Sequence, residues 1–306
     1  MKEEKSMKHT ANRLAQTRVD KVFEIVNLFV LTLILVITLI PFLIVIQRSF
    51  VPPEEVMRSS GGLNSLIPRH ITLDYYKYVV TNPILWRAYG VTILRTVLGT
   101  AINLLVTVLT AYPLSKRQMP GNKGFMTFFF ITMIFSGGMI PSYLLVTSLG
   151  LQDTIWALVL PGAMSVYNMI IMRTFLRSLP EELEESARID GCHDIMILFR
   201  IILPLSLPAI ASVGLFYAVW HWNTFMDGVL YITDRKLWPL QILLRETMLT
   251  SSMSELELSN AFAEVTPPPQ GLIATEIIVT MLPIICLYPM LQKYFVKGIL
   301  IGSVKG

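Results

Sequence analysis

Six long apolar runs constrain this chain more than any other feature. They cover residues 23–46, 87–114, 124–147, 154–175, 205–225 and 271–294. A helix of about 20 apolar residues crosses the hydrocarbon core of a bilayer, and a backbone in lipid must satisfy its hydrogen bonds internally, as a helix does. The runs therefore predict an all-α membrane protein with six transmembrane helices.

The composition supports the same class. Of 306 residues, 53% are hydrophobic and 15% are charged, whereas soluble domains carry about 25% charged residues. The net charge is only +4, and no basic stripe with interleaved aromatic residues is visible, so nucleic acid is not an expected partner. Cys192 and Cys286 lie far apart and no Cys/His cluster has metal-ligand spacing, so we expect neither a disulfide nor a metal site.

The distribution of Lys and Arg indicates the orientation in the membrane. Sixteen basic residues lie in the N-terminal segment, the connections after the second and fourth runs, and the C-terminal tail, whereas seven lie in the other connections. Because connections rich in Lys and Arg stay in the cytoplasm, both termini are predicted to be cytoplasmic. The predicted domains are a cytoplasmic N-terminal segment (1–22), a six-span domain (23–295) and a cytoplasmic tail (296–306).

Two of the connections on the outer side are long. They cover residues 47–86 and 226–270, and both contain several prolines. Their composition fits a solvated linker and a docking surface for an external partner equally well.

The connection over residues 176–204, called the elbow below, has the pattern of ordered structure. Ser178 followed by Glu181 matches a helix capping box, and the glutamates that follow lie where the helix dipole favours negative charge. Gly191 is placed to end this helix in a left-handed turn. A second helical stretch then leads into the fifth span at Pro204. The predicted apolar face of that stretch consists of Ile195, Met196, Phe199 and Ile202.

These patterns predict a stiff helix–turn–helix on the cytoplasmic side. A rigid elbow of this kind transmits force, which a flexible loop does not. The alternative is an amphipathic connector that lies on the membrane surface without a partner, although four glutamates disfavour contact with an anionic leaflet. The residue pattern leaves both interpretations open.

The spacing of seven elbow residues resembles a known family signature. Glu185, Ser186 and Ala187 are followed by Gly191, Ile201, Leu203 and Pro204. This is similar to the signature of the inner-membrane permeases of binding-protein-dependent ABC importers, with Ser186 in place of a first alanine. With Asp190 before the glycine, the chain resembles the carbohydrate-uptake branch, and in particular the second permease of maltose-type importers. Residues 111–115, 222–223, 292–298 and 305–306 are also similar to that branch.

The resemblance implies a type I ABC importer architecture in which the elbow is the coupling segment that contacts an ATPase subunit. The residues that it assigns to this role are Glu185, Ser186, Ala187, Asp190, Gly191, Ile201, Leu203 and Pro204. It also implies a second homologous permease, two ATP-binding cassette subunits, an extracellular solute-binding protein and a carbohydrate substrate, with the chain as a multi-pass protein of the plasma membrane. ATP and magnesium would be bound by the ATPase subunits, and no cofactor by this chain.

The sequence offers no sign of catalysis by the chain itself. No Gly-rich phosphate loop ending in Gly-Lys-Ser/Thr is present, and residues 121–124 are interpreted as a turn. No Ser/His/Asp set stands out among the four histidines, and His221 is expected to be a hydrogen-bonded residue at the membrane surface. We therefore predict a non-catalytic membrane subunit.

Polar and aromatic residues inside the spans are candidates for the sugar path, because such residues usually face a bundle interior or a cavity. The candidates are Asn103, Tyr167, Asn168, Trp220, Trp222 and Asn223. The alternatives are an interfacial aromatic belt for the tryptophans and interhelical hydrogen bonds for Asn103 and Asn168.

Three alternatives are considered at this point. A membrane enzyme would need a catalytic set, which is not found. A secondary transporter would use buried ionisable residues, for which Arg95 and Glu276 are the candidates. An importer for a non-sugar solute would share the elbow signature.

Overall fold

The computed structural model describes residues 18–52, 70–258 and 270–286, and every regular element in those ranges is helical. In chain order the helices are α1 (Arg18–Phe50), α2 (Asp74–Thr81), α3 (Pro83–Ser115), α4 (Asn122–Ile134), α5 (Met139–Ser148), α6 (Val166–Leu176), α7 (Glu182–Ile189), α8 (Asp194–Leu205), α9 (Leu207–Asn223), α10 (Met226–Tyr231), α11 (Leu240–Leu258) and α12 (Gln270–Cys286). The all-α prediction is confirmed for these residues.

The first two predicted spans are single helices. Both α1 and α3 contain 33 residues, and these are the two described helices that are long and apolar enough to cross a membrane alone. The N-terminus of α3 is well capped, since Asn82 accepts a hydrogen bond from the backbone N–H of Ile84 and Pro83 occupies the first helical turn. Proline is tolerated there because its missing N–H would have no partner in the helix.

The third and fourth runs are bent or broken rather than straight. In the third, α4 and α5 meet at 108° across residues 135–138, where Gly138 has a φ of +88° that favours glycine. The fourth begins with 3₁₀ turns at Ile155–Leu158 and Leu160–Gly162 and bends by 55° into α6. The third and fourth runs are therefore not single straight helices. The fifth run is covered by one helix, α9, which meets α8 of the elbow at 83° at the start of the run. The described part of the sixth run is α12.

The two long outer connections contain packed helices. Tyr75 and Val79 of α2 are buried, and the N–H of Thr72 donates to the carbonyl of Phe50 at 2.9 Å. The other connection contains α10 and the start of α11, where Leu240 and Ile242 are buried. The interpretation of the two connections as purely solvated linkers is therefore wrong for the parts that contain these helices.

The two larger apolar clusters among the described residues each join several helices. The larger one packs α3, α6, α9 and the elbow, and its fully buried members include Met169, Met172, Ile197 and Val213. The second joins α2, the first turns of α3, the end of α9 at Trp222, α11 and α12. The predicted N-terminal segment, apart from its last residues, lies outside the described residues, as do the tail (296–306) and the motifs at 292–298 and 305–306.

Candidate functional site

The elbow turns at Gly191 through hydrogen bonds that define a Schellman motif. The N–H of Cys192 donates to the carbonyl of Ala187 at 2.9 Å, and the N–H of Gly191 donates to the carbonyl of Arg188 at 3.0 Å. Gly191 has a φ of +82°, and a Cβ at this position would meet no atom within 4 Å. Glycine is therefore needed here for its backbone conformation and not for space. The predicted left-handed turn is confirmed.

The predicted capping box at the start of the elbow is wrong. The hydroxyl of Ser178 donates to the carbonyl of Phe175 at 2.7 Å, so it closes the end of α6. Helix α7 begins only at Glu182, and its first turns use the carbonyl of Glu181 as acceptor without a side-chain cap. Serine competes well for a preceding carbonyl, which is why the sequence pattern misleads here.

The coupling residues predicted in the first limb of the elbow fall into two groups. Ala187 is buried in the larger apolar cluster, so it fixes α7 against the bundle. Glu185, Ser186 and Asp190 are exposed, so they are free to meet a partner. Ile189 lies beside them and is 86% exposed, an apolar side chain that sequence reasoning missed. The sequence signal that could have identified it is an isoleucine that lies off the buried face of a helix rich in charged residues.

The second limb of the elbow, α8, contains a π turn at Leu198–Ile202. The π turn rotates the helix surface, so the buried residues are Ile197, Leu198 and Ile202. The predicted apolar face is therefore wrong for Ile195 and Phe199, which are exposed. Ile201 and Leu203 are half-buried and Pro204 is exposed, next to the bend into α9. Proline lacks a backbone N–H, which explains a break in regular helix at this point.

Polar contacts tie the elbow to the end of α3, which is bonded in turn to α6. Lys116, at the end of α3, forms an ion pair with Glu184 of α7, and Arg117 lies 3.6 Å from Glu181. The side chain of Arg173 in α6 donates to the carbonyl of Leu114 at 2.7 Å. The first helix of the elbow is therefore joined to the end of α3, and α3 is joined to α6.

A row of polar residues along α3 binds the other elements of the bundle. The side chain of Asn103 donates to the carbonyl of Gly162 at 2.9 Å, and the hydroxyls of Thr107 and Tyr217 are 2.7 Å apart. The hydroxyl of Thr92 accepts from the N–H of Leu240 at 2.8 Å. Thus Asn103 makes the interhelical bond that was one of its two interpretations, and it lies at the contact with the fourth run.

Arg95 is the charged residue of this row and makes polar contacts with two residues. Its side chain is 0% exposed, it forms an ion pair with Asp227 of α10, and it donates to the carbonyl of Thr224 at 2.9 Å. Arg95 is thus held by a carboxylate that sequence reasoning did not single out. His221 packs nearby against Gly99 and is fully buried within the bundle.

The other candidates for the sugar path do not converge on one site. Tyr167 is exposed and Asn168 is buried one residue later in α6. Trp220 packs over Gly162, and Asn223 donates to the carbonyl of Val219 in its own helix at 2.8 Å. Trp222 is buried against Tyr89, with ring centroids 6.4 Å apart, so it belongs to the second apolar cluster rather than to an interfacial belt.

Comparison with known proteins decides the family. Residues 11–301 match the family described as "Binding-protein-dependent transport system inner membrane component". The chain belongs to this family. Relatives in Bacillus subtilis (strain 168) include protein LplC, 46% identical over 95% of this chain and 97% of that protein. Another is the polygalacturonan/rhamnogalacturonan transport system permease protein YtcP, 43% identical over 94% of this chain and 99% of that protein.

A solved structure matches the fold of this permease. It is a bacterial ABC transporter involved in the import of the acidic polysaccharide alginate, matched with a TM-score of 0.80 at 30% identity, over 91% of this chain and 98% of that chain. The permease therefore has the type I ABC importer fold. Among the described residues no group of three His, Cys, Asp or Glu side chains is placed to hold a metal ion.

Proposed function

We propose that this permease moves an oligosaccharide into the cell and that ATP hydrolysis on separate subunits drives the movement. The observation that carries the proposal is the elbow. Its turn is fixed by two backbone hydrogen bonds, and ion pairs join its first helix to the end of α3. A segment that is stiff and anchored to the spans is suited to convert a push from outside the membrane into a movement of helices.

The exposed tip of the elbow is the proposed contact with an ATP-binding cassette subunit. It combines three polar residues, Glu185, Ser186 and Asp190, with the projecting side chain of Ile189. Interfaces commonly combine a buried apolar anchor with a polar rim. In this assignment ATP and magnesium stay on the partner, and the elbow and both termini lie in the cytoplasm.

Two further partners complete the proposed complex. A second homologous permease would cover apolar surface that this chain leaves open, including residues 131–140, all of which are exposed. An extracellular solute-binding protein would deliver the sugar to the connection between α9 and α12. Exposed apolar stretches of this size indicate contact with lipid or with another protein.

The names of one relative at 43% identity and of the matched structure favour an acidic oligosaccharide as the cargo. The YtcP permease is named for polygalacturonan and rhamnogalacturonan, and the matched structure belongs to an importer of the acidic polysaccharide alginate. Both names refer to acidic sugar polymers. We therefore propose an oligosaccharide that carries uronate carboxylates as the substrate class.

Reconstitution tests the division of labour. The permease alone, its two-permease complex, and the complex with ATPase subunits are placed in liposomes, and entry of a labelled oligogalacturonide is measured with the binding protein on the outer side. We expect entry only with ATPase subunits and ATP. Uptake by the permease alone, driven by an ion gradient, would instead establish a secondary transporter.

Gly191 tests the elbow itself. Gly191→Val places a β-branched residue at a φ of +82°, which such residues disfavour strongly, whereas Gly191→Asn keeps a residue that adopts this conformation. We expect the valine variant to lose uptake and ATPase coupling while its level in the membrane stays normal, and the asparagine variant to retain both. Normal uptake by the valine variant contradicts the role of the turn.

The substrate class has a separate test. The solute-binding protein of the proposed complex is titrated with galacturonate oligosaccharides and with neutral oligosaccharides of equal length. Binding restricted to neutral sugars refutes the acidic cargo and leaves the oligosaccharide importer intact. Binding of amino acids or phosphate alone contradicts both.

A further inference from the structure

Residues 224–240, named here the α10 segment, join α9 to α11 and are bonded to α3 at both ends. At the start, the side chain of Arg95 donates to the carbonyl of Thr224 at 2.9 Å. At the end, the N–H of Leu240 donates to the hydroxyl of Thr92 at 2.8 Å. Arg95 and Thr92 are both 0% exposed, so both bonds lie inside the bundle. One helix therefore holds the two ends of the segment.

Further contacts strengthen this attachment. Arg95 also pairs with Asp227 of α10, and separating the two would leave a buried charge without a partner, which is strongly unfavourable. Leu240 is buried in the second apolar cluster together with Leu85 and Ala88 of α3. The α10 segment and the first half of α3 are therefore expected to move as one body.

The other end of α3 is attached to the elbow. The larger apolar cluster contains Ala111 of α3 together with Ala187 and Ile197 of the elbow, and Lys116 forms its ion pair with Glu184 of α7. The same helix thus contacts the α10 segment near one end and the elbow near the other.

Between the two attachments α3 is one uninterrupted helix. From Thr92 to Ser115 it advances by about 35 Å, at about 1.5 Å for each residue, which is enough to cross a hydrocarbon core of about 30 Å. Helix α9 also runs from the elbow to the α10 segment, but it has a bend of 83° at one end and the non-helical residues Thr224 and Phe225 at the other. Those joints let α9 tilt relative to the elements on either side of it, whereas α3 is continuous through both apolar clusters.

We infer that α3 is the strut that carries movement between the α10 segment and the elbow, and that Thr92 and Arg95 are the positioning residues that fasten the segment to it. Coupling between distant sites travels through packed side chains, hydrogen bonds and rigid elements, and α3 combines all three. The inference rests on the proposed function, in which the solute-binding protein meets the connection that contains the α10 segment and the ATPase subunit meets the elbow. Arrival of the binding protein then reaches the ATPase subunit through α3.

Stimulation of ATP hydrolysis by the binding protein tests the strut. The complex of both permeases and the ATPase subunits is placed in nanodiscs, and hydrolysis is measured with and without binding protein loaded with a galacturonate oligosaccharide. Thr92→Val keeps the shape of the side chain but removes the acceptor for the N–H of Leu240, whereas Thr92→Ser keeps that acceptor. We expect Thr92→Val to retain basal hydrolysis and to lose about fivefold of the stimulation, within the usual range of coupling between sites. Thr92→Ser should match the unaltered complex.

A double variant separates the strut from stability. Arg95→Leu combined with Asp227→Leu removes both buried charges and leaves neither unpaired, so the complex should assemble in normal amount. The bond from Arg95 to the carbonyl of Thr224 is lost in it, so we expect its stimulation to fall as in Thr92→Val while basal hydrolysis stays.

Asp153 provides the matched control. Its carboxylate accepts from the N–H groups of Thr233 and Asp234, so it fastens the α10 segment to the start of the fourth run and not to α3. Asp153 has a φ of +55°, which glycine adopts freely, so Asp153→Gly removes the acceptor without backbone strain. We expect Asp153→Gly to keep its stimulation.

Three results would overturn the strut. Full stimulation of Thr92→Val and of the double variant shows that α9 alone carries the movement, and it leaves the importer intact. Equal losses in Asp153→Gly and Thr92→Val assign the movement to the fourth run. Loss of basal hydrolysis in step with stimulation shows a structural role only. An unaltered complex that the binding protein does not stimulate contradicts the proposed function itself, and the inference fails with it.

Discussion

Helices α1 and α3 have the same length and opposite surroundings. Each contains 33 residues, but the most apolar stretch of α1 has a mean hydropathy of 3.2 and buries none of its residues, whereas that of α3 has a mean hydropathy of 1.8 and buries 39%. The more apolar helix is thus the one that packs least within the chain. Hydropathy indicates that a helix lies in the membrane, and other residues decide what it packs against.

The residues that distinguish α3 are few and regularly placed. Thr92, Arg95, Gly99, Asn103 and Thr107 follow one another at intervals of three or four residues, so they share one face of the helix. Each of the four polar members bonds to a different part of the chain. By contrast, the polar side chain of Thr38 in α1 donates only to carbonyls of its own helix. In a membrane, small residues and interhelical hydrogen bonds replace the hydrophobic effect as the force between helices.

The largest expected effect comes from breaking the ion pair of α3. Arg95→Leu leaves Asp227 with an uncompensated charge in a largely buried place, which costs about 3–5 kcal/mol of folding free energy. The double variant Arg95→Leu with Asp227→Leu removes both charges and should regain much of that loss. Thermal unfolding of the purified chain in detergent measures both. If the double variant is as unstable as the sum of the two single variants, the pair does not act as a unit.

Gly99 and Gly90 provide the next test, within one helix. A Cβ at Gly99 would overlap with the imidazole of His221, whereas a Cβ at Gly90 would meet no atom within 4 Å. Gly99→Ala should therefore destabilise the chain by about 1–3 kcal/mol through overpacking, and Gly90→Ala should leave it unchanged or slightly more stable. Combining Gly99→Ala with His221→Ala should relieve the overlap. Equal melting temperatures for the two single variants would remove the close approach as the reason for glycine at position 99.

The difference between α1 and α3 also marks what could be predicted from the sequence. The two long spans follow from hydropathy, because each is one continuous helix, and the Gly191 turn follows from a glycine placed after a charged helix. The break at residues 135–138 could not be predicted, since glycine is frequent in intact membrane helices. The pairing of Arg95 with Asp227 spans 132 positions, and the chain carries no local signal for such a contact. The prediction of a capping box was wrong because the hydroxyl of Ser178 donates to the carbonyl of Phe175 instead.

A smaller effect is expected from single hydrogen bonds. Asn103→Leu removes the bond to the carbonyl of Gly162, and interhelical bonds of this kind contribute about 0.6 kcal/mol on average in membranes, with values up to about 1.7. Thr38→Val is the matched change in α1 and should have no measurable effect, because its hydroxyl bonds only to carbonyls within α1. The melting temperatures of the two variants are compared in the same detergent. A larger fall in melting temperature for Thr38→Val than for Asn103→Leu would contradict this expectation. It would show that the hydroxyl of Thr38 holds α1 to another part of the chain.

The smallest effect on the chain itself is expected in α1. Ile34 and Leu35 are exposed, so Ile34→Ala and Leu35→Ala should change the unfolding free energy of the isolated chain by less than about 0.5 kcal/mol. If α1 packs on the proposed second permease, the same variants should lower the amount of that subunit that purifies with the chain. The two measurements together determine where α1 belongs. If the variants destabilise the isolated chain, α1 packs on its own bundle. If the amount of co-purifying partner is unchanged, α1 is in contact with lipid. If only the partner is lost, α1, the more apolar of the two long helices, packs on another subunit.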